Sequence, residues 1–197
     1  MTKKESKEKR IMDILTAAID IFIEKGYESS SMNEIAARAG ISKGGLYHHF
    51  SSKDLILIYA NQKLMEPCTE MLFTAHQTPT AYEGLNYYID QYLNYWSTRK
   101  KELTFFTISM NKAITLSGIS EIYEAYIENY ISVLEALFQK GIDQEEFICH
   151  NPKGRAISLI SALDGILVYL VLDQKIKLEE SIKNFIEVFL EPLKKPH

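Results

Sequence analysis

Lys43, Gly44, Gly45, Tyr47 and His48 sit in one short stretch, and their types suit contact with a large anion rather than bond-breaking. Ser42 is a good N-cap, so a short helix is predicted to start at Lys43. Leu46 and Phe50 are four apart, share one face of that helix and can pack inward. Lys43, Gly44, Tyr47 and His48 fall largely on the other face. A glycine inside a helix costs roughly 1 kcal/mol relative to alanine. A basic, aromatic face stripped of bulk therefore implies something large lying against the backbone. A phosphate chain or a groove wall fits, because it needs room, N–H donors and positive charge. Ser42 and the backbone of Gly44 and Gly45 would meet phosphate, and Lys43 would donate to guanine. Tyr47 and His48 would reach either phosphate or a base edge, whereas His49 reads as a packing residue.

Nothing else in the chain reads as a catalytic or metal centre. His48, His49, His76, His150 and His197 form no metal-ligand spacing with cysteine or acid, and no nucleophile–base pair is apparent. No glycine-rich phosphate loop follows a strand pattern. The expectation is a non-enzyme with no cofactor and no metal.

The elements that must position the basic stretch are legible on both sides of it. Ser31-Met32-Asn33-Glu34 has capping-box spacing, which predicts a helix over residues 32–39 ended by Gly40. Helix, short glycine-bearing turn and helix make a helix-turn-helix, whose second helix enters the major groove. Ser31 and Met32, at the start of the first of these helices, join the candidate contacts. Ile11, Ile14, Leu15, Ala18, Ile19, Phe22 and Ile23 recur at helical spacing, predicting an amphipathic helix over residues 7–25 stopped at Gly26. Residues 1–9 read as a mobile basic arm, either a frayed end or a phosphate contact. Tyr27 plugs the small core or faces phosphate, and core is favoured. Lys53 opens the next helix, where the dipole disfavours a cation, so phosphate is expected nearby.

Tyr27, the run Ser31-Met32-Asn33-Glu34-Ile35-Ala36, the run from Ala39 to Phe50 and Lys53-Asp54-Leu55 resemble the TetR/AcrR family of bacterial transcriptional regulators. The resemblance is dense over residues 8–58 and architectural beyond them. It implies an all-α fold, with a three-helix helix-turn-helix DNA-binding domain at residues 1–52. A helical effector-binding and dimerisation domain would occupy residues 53–197. It further implies a homodimer through the last two long helices, a double-stranded operator and a small-molecule effector. Repression is the family's usual outcome. Residues matching Tyr47 and Lys53 often touch the DNA backbone there. The alternative on the same fold is a ligand-independent DNA-binding structural or cell-division factor.

The body reads as helices throughout. The helix from Lys53 should kink or break at Pro67. Thr80-Ala81-Tyr82-Glu83 is a second capping box, opening a helix over residues 81–98 with Leu85, Tyr88, Ile89, Tyr92, Leu93 and Trp96 inward. Residues 99–101 read as a solvated corner, 102–115 as helix and 116–120 as a turn with Gly118. A long helix over 121–140 should end at Gly141. Asn151-Pro152 is an N-cap followed by proline at the first helical position. In residues 156–172 only Ser158, Ser161, Asp164 and Gly165 are not apolar, so this helix must be covered on all sides. With the amphipathic helix over 178–193 it would form a four-helix interface with a second copy.

Tyr88, Tyr92, Trp96, Phe106, Met110, Tyr123, Tyr126, Tyr130 and Tyr169 would face one cavity, mostly apolar with a few hydroxyls, as a small-molecule site is. Asp164 either pairs with Ser161, a tyrosine or the second subunit, or faces that cavity and favours a cationic ligand. Cys68 and Cys149 read as structural thiols of a reducing cytoplasm, with a redox switch as the alternative. The net charge of −4 divides unevenly: residues 1–53 hold 9 basic and 7 acidic side chains, residues 54–197 hold 13 and 19. A basic reading end on an acidic body keeps the DNA electrostatics local. No signal peptide and no membrane span are expected.

Overall fold

The computed structural model describes residues 3–115, 117–172 and 176–196, and among them it holds nine α-helices and no β-strand. Residues 1–2, Leu116 and His197, to which parts of the expected arm, turn and histidine set belong, lie outside the described residues. Contacts divide the chain into two compact units, Met1–Met65 with Lys101–Ile122 and Glu66–Lys100 with Tyr123–His197.

The first unit begins with α1 (Lys3–Lys25), α2 (Met32–Arg38) and α3 (Lys43–His49). The expected arm is helical from Lys3. Ile14, Ala18, Ile21 and Phe22 of α1 are buried with Ile35 and Ala36 of α2 and Leu46 of α3. Gly26 and Gly40 end their helices at φ +81° and +65°, the left-handed region where glycine carries no Cβ penalty. Tyr27 is buried, as the core reading expects. This unit also takes in most of α6 (Lys100–Thr115). Phe105 of α6 stacks on Phe22 of α1 with centroids 6.3 Å apart. Lys101 pairs with Asp20 at 2.5 Å, so the corner is anchored rather than merely solvated.

The helix from Lys53, α4 (Lys53–Gln77), continues through Pro67 instead of ending there. Proline costs about 3 kcal/mol inside a helix, and here Leu64, Met65, Cys68 and Leu72, on both sides of it, are buried.

In the second unit α5 (Ala81–Ser97) packs on α8 (Pro152–Leu172) and α9 (Leu178–Phe189). Thr80 and Glu83 exchange both capping-box hydrogen bonds. Glu146 adds a two-pronged cap, accepting from the Ala81 and Tyr82 N–H groups at 3.0 Å each. The helix expected over 121–140 is α7 (Ser117–Asp143), so the expected turn is helical from Ser117 onward. Gly141 does not stop it. A Cβ there would lie 2.2 Å from the Phe147 ring, so this glycine admits the ring of the returning loop. Asn151 caps α8 through the Gly154 N–H at 3.0 Å. The last helix stops earlier than expected and gives way to a 3₁₀ turn, Glu191–Leu193, containing Pro192. An isolated bridge joins Phe147 to Lys194.

Candidate functional site

The reading face is built by local capping chemistry. The Ser31 hydroxyl accepts from the Glu34 N–H at 3.3 Å, and the Glu34 carboxylate accepts the Ser31 N–H at 2.9 Å. Lys25 of α1 reaches the same carboxylate at 2.5 Å. That hydrogen bond, then those from Ser31, pull the Glu34 carboxyl down to about 2. Arg38 forks onto Glu24 at 2.6 and 2.7 Å, tying α2 to α1 a second time. Ile41 donates back to the Ala36 carbonyl at 3.0 Å, which closes the turn around Gly40. Ser42 then caps α3, accepting from the Gly45 N–H at 3.1 Å. Buried Leu46 and Phe50 pin α3 from beneath, and Phe50 meets Tyr59 edge-on at 5.5 Å.

What remains outward is the expected set. Ser31, Ser42, Lys43, Gly44, Tyr47 and His48 are exposed, and Met32 and Gly45 are partly so. The Lys43 ammonium lies 6.0 Å from the Tyr47 ring centroid. A Cβ at Gly44 would meet nothing within 4 Å. Nothing inside the chain therefore requires glycine there, and the bareness faces outward. At Gly45 a Cβ would come to 3.3 Å from the Ser42 hydroxyl, so that glycine also protects the cap. Burial first, then the charges of His48, Lys7 and Arg10, lower the His49 pKa, which places α1 cations beside the end of α3.

Lys53 is engaged within the chain. Its ammonium donates to the carbonyls of Tyr27 at 2.6 Å and Ser30 at 2.9 Å, with that of Glu28 at 3.5 Å. It also sits 4.2 Å from the Tyr27 ring centroid. An ammonium has three N–H donors, and here they point at the turn between α1 and α2. Burial lowers the Lys53 pKa, opposed by Glu28 and Asp54. The Tyr27 hydroxyl donates to Asp54, and Lys112 of α6 pairs with Glu28 beside the same ring.

The expected aromatic set does not line the described body cavity as one group. Tyr88, Tyr92 and Trp96 are fully buried at i, i+4 spacing, with centroids 5.6 and 6.3 Å apart, and act as core. Tyr123 is buried as well. Phe106 and Met110 belong to the first unit, and Tyr169 is 61% exposed. Tyr126 and Tyr130 alone of the set line a groove of about 520 Å³ between α4 and α7. Its other walls were missed: Thr69, Leu72, Phe73 and His76 on α4, and Asn129, Ser132, Val133 and Ala136 on α7. Both sets recur every three or four residues, so each marks one helix face, a periodicity that could have found them.

Asp164 is paired with a tyrosine, one of the alternatives expected for it: the Tyr92 hydroxyl donates to it at 2.5 Å. Burial raises its pKa, opposed by that hydrogen bond. Cys68 is buried, which pushes its thiol up to about 12, and Cys149 is exposed. Among the described residues no cluster of His, Cys, Asp and Glu could hold a metal, and no helix is long and apolar enough to cross a membrane.

A helix-turn-helix with a bare, basic second helix, carried on an all-helical chain, defines a DNA-binding regulator. Residues 14–60 match the family described as bacterial regulatory proteins, tetR family. The chain is 23% identical over 173 residues to the Transposon Tn10 TetC protein of Escherichia coli, spanning 88% of this chain and 84% of that one. Its fold is similar to the transcriptional regulator FadR from Bacillus subtilis in complex with stearoyl-CoA, with a TM-score of 0.79 at 20% identity over 92% of this chain and 98% of that one. It is also similar to AibR in complex with isovaleryl coenzyme A and operator DNA, with a TM-score of 0.74 at 24% identity over 93% and 99%. At such identities the two structures speak for the fold.

Proposed function

We propose that the chain is a transcriptional repressor in the cytoplasm that binds a palindromic operator as a homodimer and is released by a small apolar or amphipathic effector. The observation that carries the DNA reading is the open space over Gly44 on an exposed, cation-flanked α3. Ser31, Met32, Ser42, Gly44, Gly45 and Tyr47 position the phosphate backbone, while Lys43 and His48 reach base edges. Lys53 acts through Tyr27 as a positioning residue. Functionally, residues 1–52 read DNA, and residues 53–197 bind the effector and dimerise.

The homodimer is supported by an apolar surface left over on the last two long helices. Leu172 is 74% and Tyr169 61% exposed on α8, and Val188 is exposed on α9. A second copy would cover them and set the two α3 helices about 34–36 Å apart, one duplex turn. The effector works by differential affinity: it must fit a conformation with another spacing better than the operator-bound one. The solved FadR and AibR complexes, with their acyl-CoA ligands, support the existence of an effector of some kind. No catalytic step is part of this function.

Selection of bound duplexes from a random pool, followed by gel shift, tests the reading. A palindromic consensus with half-sites one turn apart is expected. Binding without sequence preference, or light scattering showing a monomer on a single half-site, would overturn it.

A further inference from the structure

The groove between α4 and α7 differs from the rest of the body in two respects. None of its lining residues is Lys, Arg, Asp or Glu. The one titratable imidazole, His76, has its Nε2 2.8 Å from the Val133 carbonyl, which makes that nitrogen a donor to the backbone. The Tyr126 hydroxyl, on the same wall, is buried, and the Thr69 hydroxyl is the one polar group beside it. A phenol hydroxyl both donates and accepts, and a single neutral neighbour leaves part of that capacity unused, so it marks where a ligand's polar atom belongs. Phe73, 67% exposed at the groove edge, supplies an apolar surface for the ligand's body.

We infer that this groove is the effector's seat and that its occupant is an uncharged amphiphile: a compact ring system with one hydroxyl or carbonyl directed at Tyr126. This rests on the effector-responsive reading above and specifies its ligand class. A volume of about 520 Å³ lies within the range of small-molecule sites. The phosphates of a coenzyme A ester would find no lysine or arginine partner in the groove, and an organic cation would find no carboxylate. Asp164, whose charge reaches Tyr126, is engaged by Tyr92.

The test is calorimetry on the full-length protein with para-phenylphenol, its hydroxyl-free parent biphenyl, tetraphenylphosphonium and octanoyl-CoA, each followed by operator gel shift. Para-phenylphenol should bind about five- to tenfold more tightly than biphenyl, the worth of one hydrogen bond. Tyr126→Phe should erase that difference without affecting biphenyl. Ser132→Asp, at an exposed groove position that the fold does not depend on, should weaken both. Preference for the phosphonium or the thioester, indifference to both substitutions, or no binding of para-phenylphenol would overturn the inference. If a charged probe binds and releases operator, this ligand class fails while effector response stands. If para-phenylphenol binds as described and no probe alters the gel shift, the groove stands and effector response fails.

Discussion

Lys53 holds its ammonium 4.2 Å from the centre of the Tyr27 ring while donating to the Tyr27 carbonyl. The start of α4 is thereby fastened to the turn that precedes the helix-turn-helix. Lys53→Met keeps the aliphatic stem and removes those bonds. It should destabilise the protein by about 1–2 kcal/mol and weaken operator binding through lost positioning. Removing a phosphate contact would also lower the salt slope by about 0.9. Denaturant midpoints together with gel shifts at several salt concentrations separate the two roles: a weaker complex with an unchanged slope is expected.

Gly44 offers a rarer separation, of fold from function. Its Cβ position is empty space within the chain, and alanine is a better helix former by roughly 1 kcal/mol. Gly44→Ala should therefore hold or raise the melting temperature while reducing operator affinity at least about tenfold, because the added methyl meets the duplex. Gly45→Ala should lower both, since its Cβ crowds the Ser42 hydroxyl that caps α3. Unaltered affinity in a well-folded Gly44→Ala would show that nothing large approaches that face.

What could be read from the chain alone followed from how local each interaction is. Ser31 with Glu34, Thr80 with Glu83 and Asn151 with Gly154 are partners three residues apart, so the sequence carries the whole interaction. Gly141 was misread, and the contacts of Lys53 within the chain were missed, for the opposite reason. Gly141 has the look of a helix stop, yet its meaning lies in Phe147, which returns against it only in the folded chain. Lys53 has the look of a phosphate ligand until Tyr27 and Ser30, more than twenty positions earlier, are seen around it. The aromatic set is ambiguous for the same reason. Helical spacing of Tyr88, Tyr92 and Trp96 is the same whether the rings line a cavity or fill a core, and only the neighbouring helices decide.

Glu34 ties the capping of α2 to pH. Its carboxyl is held down to about 2, against an ordinary value of 4.5, by Lys25 first and Ser31 next. The folded-state value is the lower one, so the stabilisation is complete above about pH 4.5 and is lost as pH falls toward 2. Glu34→Gln removes the charge and should flatten that acid limb. Urea midpoints of the two proteins should differ at neutral pH and converge near pH 2. Parallel curves over the whole range would mean that the Lys25–Glu34 pair contributes nothing in solution.

Asp164 should behave with the opposite sign. Burial raises its pKa above the ordinary 3.8, and the groups facing it are Tyr92 from α5, Cys68 from α4 and Tyr126 and Tyr130 from α7, none of them cationic. The folded chain thus binds this proton more tightly than the unfolded one. Its stabilisation is present below pH 3.8 and lost as pH rises through the folded-state value. Asp164→Asn keeps a carbonyl oxygen for the Tyr92 hydroxyl and carries no charge to desolvate. The variant should melt higher than the parent at pH 8, with the gap closing as the pH approaches 4. A variant less stable at pH 8 than its parent would require a cation paired with Asp164 in solution, and would return the body's ligand preference to positively charged molecules.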